Sequence, residues 1–109
     1  MTKEELLKEA KAIITEELEK AGFKVVEIIL FGSRARGDER EDSDWDFYVV
    51  VDKEIDFKTK MNVTMWIRRR LVKLNISSDI LVQSSKVVKE RENDCGFLTY
   101  YVIREGKYL

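Results

Sequence analysis

Apolar residues near the start of the chain recur at helical intervals: Leu6, Ala10, Ile13, Ile14 and Leu18. That spacing puts them on one face of a helix. Thr2 and Glu5 precede them at capping-box spacing, and Gly22 follows as a natural stop. From Phe23 to Phe31 the pattern changes to a nearly continuous β-branched run, Val25, Val26, Ile28, Ile29 and Leu30, which predicts a strand. Gly32 to Ser43 is polar, with room for one helical turn after Gly32. A second strand is predicted over Asp46–Val51. Over Phe57–Leu74 the helical period returns, with Phe57, Met61, Val63, Met65, Ile67, Leu71 and Leu74 forming a broad apolar arc. Ile76–Val82 reads as a third strand with Asp79 in its middle. Ser85–Arg91 and Cys95–Arg104 read as short helices, the second ended by Gly106. The chain contains no proline, so these boundaries rest on glycines and polar clusters. No repeat or linker interrupts the series. Strands alternating with helices predict one α/β domain over residues 1–109, a small mixed sheet flanked by helices.

Composition narrows the function classes. Twenty basic and 21 acidic residues leave a net charge of -1, so no global field draws the chain to nucleic acid or to an anionic membrane. No apolar run approaches the roughly 20 residues that cross a bilayer, and Met1–Glu5 lacks a signal-peptide pattern. Cys95 is the single cysteine. It cannot form an internal disulfide, it reads as an inert small hydrophobe, and a cytoplasmic location is expected. The absence of histidine excludes histidine triads, histidine metal ligands and a histidine general base.

The most informative segment is Leu30-Phe31-Gly32-Ser33-Arg34-Ala35-Arg36-Gly37, followed by Asp44-Trp45-Asp46, with ten residues between Ser33 and Asp44. A Gly-Ser turn after an apolar strand can present backbone N–H groups and a hydroxyl to an anion. Gly32 and Gly37 enclose four residues in the manner of half a P-loop, but Asp38-Glu39 stands where Lys-Ser/Thr would be required, which rejects a Walker A reading. Arg34 and Arg36 point to opposite sides of an extended chain, so one of them is expected to face inward. Asp44 and Asp46, two apart at a strand entry, project to one face. On spacing alone they suit a solvated strand entry as well as a metal site. Asp79 shifts the balance, because a charge within an apolar strand is costly unless it is paired or metal-bound. With the second and third strands adjacent, the three carboxylates meet. Mg²⁺ suits such a set, since it prefers oxygen ligands and is held by a few carboxylates plus substrate phosphates. Two ions roughly 3.5–4 Å apart would share them.

Gly32-Ser33, ten residues, then Asp44-Trp45-Asp46 resembles the defining motif of the polymerase-β-type nucleotidyltransferase superfamily, and the short chain resembles its minimal branch. Asp79 matches that family's third carboxylate. Tyr101–Leu109 resembles, less specifically, its closing helix and strand. The resemblance implies the polymerase-β-like fold and Mg²⁺-dependent transfer of a nucleoside monophosphate, AMP from ATP, to a hydroxyl. It assigns Asp44, Asp46 and Asp79 to catalysis and metal binding, and Gly32, Ser33, Arg34 and Arg36 to the nucleotide. Members of the minimal branch pair with HEPN-domain toxins, the transferase serving as antitoxin by adenylylating a toxin tyrosine. The rival expectations are an antitoxin that masks its partner without catalysis, and transfer to a small molecule or an RNA end.

Only Ile80–Leu109 follows the third carboxylate, so the acceptor surface is expected from another chain. Trp66 falls opposite the apolar arc beside Arg69 and Arg70 and is either an interface anchor or a surface side chain. The Arg68–Arg70 run reads as a solvated face or an RNA contact. The last helix, with Phe97, Leu98, Tyr100, Tyr101, Val102 and Ile103, is apolar nearly all round. Core burial is expected for it, with a homodimer interface as the alternative.

Overall fold

Helices and strands follow one another as α1 (Lys3–Lys20), β1 (Val25–Phe31), α2 (Ser33–Arg36), β2 (Trp45–Val51), α3 (Phe57–Val72), β3 (Ser78–Ser84), α4 (Ser85–Arg91), α5 (Leu98–Glu105) and β4 (Lys107–Tyr108). They are seen in a computed structural model that describes residues 1–109. The strands form one mixed sheet in the order β3-β2-β1-β4. β1 is antiparallel to β2 and β4, while β2 and β3 are parallel. A parallel pair needs a crossover, and α3 supplies it.

Side-chain parity divides the sheet into two faces. Trp45, Phe47, Val49 and Val51 of β2 join Ala10, Ile14 and Leu18 of α1 and Val63, Ile67 and Leu71 of α3 in the main core. Tyr48 and Val50 point the other way and pack with Ile29 and Val102 of α5. Asp46 shares their parity and so opens on the α5 face.

The α1 capping box forms as its sequence predicts: Thr2 Oγ1 accepts from Glu5 N–H, and Glu5 reaches back to Thr2 N–H. Such a cap contributes about 1 kcal/mol. Burying one Ile or Leu side chain contributes about 1.5–3 kcal/mol, and Ile14 and Leu18 are both fully buried. The cap therefore sets where the helix starts, and burial holds it to the sheet.

Several boundaries differ from the sequence reading, most of them by one or two residues. β3 starts at Ser78 rather than Ile76, which makes Asp79 its second residue. α3 ends at Val72, α5 starts at Leu98, and Lys107–Tyr108 add a short strand. Two amphipathicity expectations are corrected. On α3 only Val63, Ile67 and Leu71 are buried, whereas Phe57, Met61 and Met65 face solvent. A helix lying on one sheet face buries a stripe rather than a broad arc. For the same reason α5 buries only Thr99 and Val102 and leaves Leu98 and Tyr101 exposed.

Candidate active site

Phe31, the last residue of β1, pairs with Asp46 of β2, so the turn that follows β1 sits beside that carboxylate. Gly32 adopts φ 75° and ψ -159°, a region essentially reserved for glycine. A Cβ at this position would collide with Asp46 Oδ2 and lie 3.3 Å from Asp46 Cγ. Gly32 is thus required both by the backbone and by the space the carboxylate fills. The chain then makes a single helical turn, with the N–H groups of Ala35 and Arg36 donating to Gly32 O at 3.1 Å. The leading N–H groups of such a turn have no partner inside it. What this turn offers an anion is those N–H donors and the Ser33 hydroxyl, since one turn is too short for a sizeable macrodipole.

The three predicted acidic residues come together at one end of the sheet. β2 and β3 are neighbours, and Asp46 and Asp79 are partners in the parallel register. Asp44 lies in the loop just before β2 rather than on the strand. It is fixed by the Ser77 hydroxyl, which donates to Asp44 Oδ1 at 2.7 Å, while Trp45 N–H donates to Ser77 O at 2.9 Å. Asp44 and Asp79 are exposed and Asp46 is half-buried. Burial raises the Asp46 carboxyl above its ordinary range, the charges of Asp79 and Asp44 raise it further, and Arg36 opposes them. Asp44 and Asp79 thus both act on Asp46 across the end of β2 and β3. The three carboxylates are gathered without being closed around a point: no three His, Cys, Asp or Glu side chains stand at metal-ligating spacing in this conformation.

The two arginines divide their work. Arg34 donates from Nε and Nη2 to Ser43 O at 3.2 and 2.9 Å, and from Nη2 to Glu41 O at 3.1 Å. Its guanidinium also lies 4.4 Å from the centre of the Trp45 ring. Arg34 is thus occupied in pinning the loop that delivers Asp44. Arg36 is exposed, pairs with Asp38 at 3.3 Å, and is the cation that acts on Asp46. Sequence reasoning missed Ser77, because a serine at a strand entry carries no motif; only the β2–β3 register reveals its partner.

A βαβ crossover thus carries paired carboxylates beside a Gly-Ser turn. Residues 11–109 match the family described as polymerase beta, nucleotidyltransferase, and the chain belongs to that family. No curated protein sequence matches it significantly. Its fold is similar to that of several solved structures. A toxin–antitoxin with AMP-PNP superposes with a TM-score of 0.55 at 20% identity, covering 89% of this chain and 69% of that one. A mutant of the toxin–antitoxin MntA-HpeT gives 0.54 at 19%, covering 91% and 70%.

Proposed function

We propose that this chain transfers AMP from ATP to a hydroxyl of a partner protein, a tyrosine of a HEPN-domain toxin, and acts as its antitoxin. The observation that carries the reading is the in-register Asp46–Asp79 pair, with Asp44 beside it, at the end of the sheet that bears the Gly32–Ser33 turn. The solved structures of like fold, a toxin–antitoxin with AMP-PNP among them, support the choice of nucleotide and partner.

The residues present fit Mg²⁺. Their donors are all oxygen, they carry unbalanced negative charge at Asp46, and the missing Cβ of Gly32 leaves that carboxylate room. Asp44 and Asp46 would hold the ion that grips the triphosphate, and Asp79 would complete a second position. When bound, magnesium neutralises phosphate charge and acidifies the attacking hydroxyl. Ser33 and the N–H groups of the turn hold the outer phosphates. Ser77 keeps Asp44 aimed at the site. Asp79 stands exposed on the edge strand β3 and takes the proton of the acceptor hydroxyl. The hydroxyl oxygen then bonds to the α-phosphorus, the bond between the α-phosphorus and its bridging oxygen breaks, and pyrophosphate leaves with the bond's electron pair.

The test is transfer of α-labelled phosphate from ATP to a co-expressed partner. Asp79→Asn is expected to abolish labelling while ATP binding, followed by calorimetry, stays near that of the unmodified chain. Loss of binding alone would refute the role given to Asp79. Neutralisation of the toxin by an Asp44/Asp46 double variant would mean masking without catalysis.

A further inference from the structure

The strongest feature left unexplained by the site lies along α3 and the free edge of β3. From Phe57 to Lys73 the chain carries Lys58, Lys60, Arg68, Arg69, Arg70 and Lys73 and no acidic residue, in a protein whose overall net charge is only -1. Of these six, only Arg70 has a carboxylate partner. Phe57, Met61, Met65 and Val72 recur at helical spacing along one stripe and are 76, 55, 38 and 64% exposed. The stripe flanks the buried Val63–Ile67–Leu71 face. A shallow hollow of about 1010 Å³, the largest on the surface, runs along it and is lined in part by Met61, Met65, Arg68, Arg69 and Val72. β3 has a neighbour on one side only. Around that open edge, Met61 of α3 and Phe97 and Leu98 at the start of α5 enclose a second groove of about 280 Å³ over Leu81. A continuous apolar rim of this kind, bordered by charge, marks an interaction surface.

We infer that this rim docks a partner protein through an α-helix whose apolar stripe is flanked by Asp and Glu. The inference rests on the reading that a second protein carries the acceptor hydroxyl. Charge complementarity selects the occupant: four unpaired cations, Lys58, Lys60, Arg68 and Arg69, border the methionines and call for carboxylates. Length agrees, since the sixteen residues of α3 span about 24 Å, or four to five turns of a facing helix. Met61 and Met65 supply adaptable contact area. Position agrees as well. Val72 lines, together with Ser77 and Ser43, the hollow beside Asp44, so a helix on the rim ends near the carboxylates and reaches Asp79 from the open edge of β3. A second copy of this chain fits poorly. The acidic outer face of α1 and the acidic Asp38–Asp42 loop carry no exposed large apolar side chain. Nucleic acid fits poorly too, because phosphates have no use for the methionine stripe between the cations. Trp66 lies on the far side of the helix, with the Arg69 guanidinium 5.2 Å from its ring centre, and stays outside the rim.

The experiment measures fluorescence anisotropy of labelled helical peptides of about four turns against the full chain. One peptide has a leucine stripe flanked by glutamates, one has the same stripe flanked by lysines, and one has glutamates with the stripe changed to serine. The first is expected to bind and the other two are not. Met61→Ser with Met65→Ser, and separately Arg68→Glu with Arg69→Glu, should each weaken it at least about tenfold. All four positions are exposed, and circular dichroism verifies that each variant folds. Absence of binding, equal binding of the glutamate and lysine peptides, or affinity unchanged by the variants overturns the proposal. Concentration-dependent self-association that the same variants abolish would assign the rim to a second copy and overturn it as well. Displacement of the peptide by a short RNA with the same dependence on Arg68 and Arg69 would do likewise. Binding of Mg²⁺-ATP by the rim variants is expected to match the unmodified chain, so failure of the rim leaves the transferase reading standing. An Asp44/Asp46 variant tests that reading and should not change peptide affinity.

Discussion

Replacing Gly32 with alanine tests the geometry on which the site depends. The backbone there has φ 75° and ψ -159°, and a side chain held in that region costs about 1–3 kcal/mol. The added Cβ also meets the Asp46 carboxylate and drives it off its rotamer, for about another 1 kcal/mol. Gly37→Ala is the control. It too has a positive φ, 84°, but lies in the ordinary left-handed region, and a Cβ there meets nothing within 4 Å. Its cost is about 1–2 kcal/mol. The effect of Gly→Ala on the unfolded chain is common to both positions and cancels in the comparison. Gly32→Ala should therefore be less stable than Gly37→Ala by about 1–2 kcal/mol, which in a domain of this size separates their melting temperatures by roughly 4–16 °C. Urea denaturation followed by far-UV circular dichroism reads the difference. In an Asp46→Ala background the nearest remaining atom is the Cβ of residue 46, at an ordinary contact of 3.6 Å. The collision vanishes there, and a double-mutant cycle should return a coupling of about 1 kcal/mol. Equal cost at the two glycines, or no coupling to Asp46, would refute the packing of the turn against the carboxylate.

Asp46→Asn should raise thermal stability at neutral pH. Its folded-state carboxyl is held above the unfolded value by burial and by Asp79 and Asp44, so the ionised form penalises the native state once the pH exceeds the folded value. The gap between variant and parent should close as the pH falls below the unfolded value of about 3.9; a gap independent of pH contradicts this account. Tyr48→Phe should lose about 1–2 kcal/mol, because Tyr48 Oη and Thr99 Oγ1 share a buried hydrogen bond of 2.7 Å and Thr99 is left without a partner. Adding Thr99→Val should recover part of that loss, and a neutral Tyr48→Phe would argue against the bond. Arg34→Ala should speed amide hydrogen exchange over residues 38–44 and expose Trp45, shifting its fluorescence to the red. Unchanged exchange with weaker ATP binding would instead assign Arg34 to the nucleotide.

Much of this protein was legible in one dimension. The capping box of α1, the alternation of strands and helices, and the spacing from Gly32-Ser33 to Asp44 and Asp46 are local properties, carried by backbone preference and side-chain period. Those signals identify the α/β class and single out the Gly-Ser turn and the carboxylates of the candidate site. Tertiary structure decided what local signals cannot encode. Pairing β2 with β3 in parallel placed Asp79 against Asp46 and gave Asp44 a holder in Ser77, a residue with no motif of its own. Folding the loop back onto Trp45 engaged Arg34 and left Arg36 as the cation acting on Asp46. Laying α3 and α5 each across one face of the sheet exposed half of the apolar positions that periodicity would have buried. Period reports which residues share a side of a helix; how much of that side is covered depends on the neighbours that pack against it.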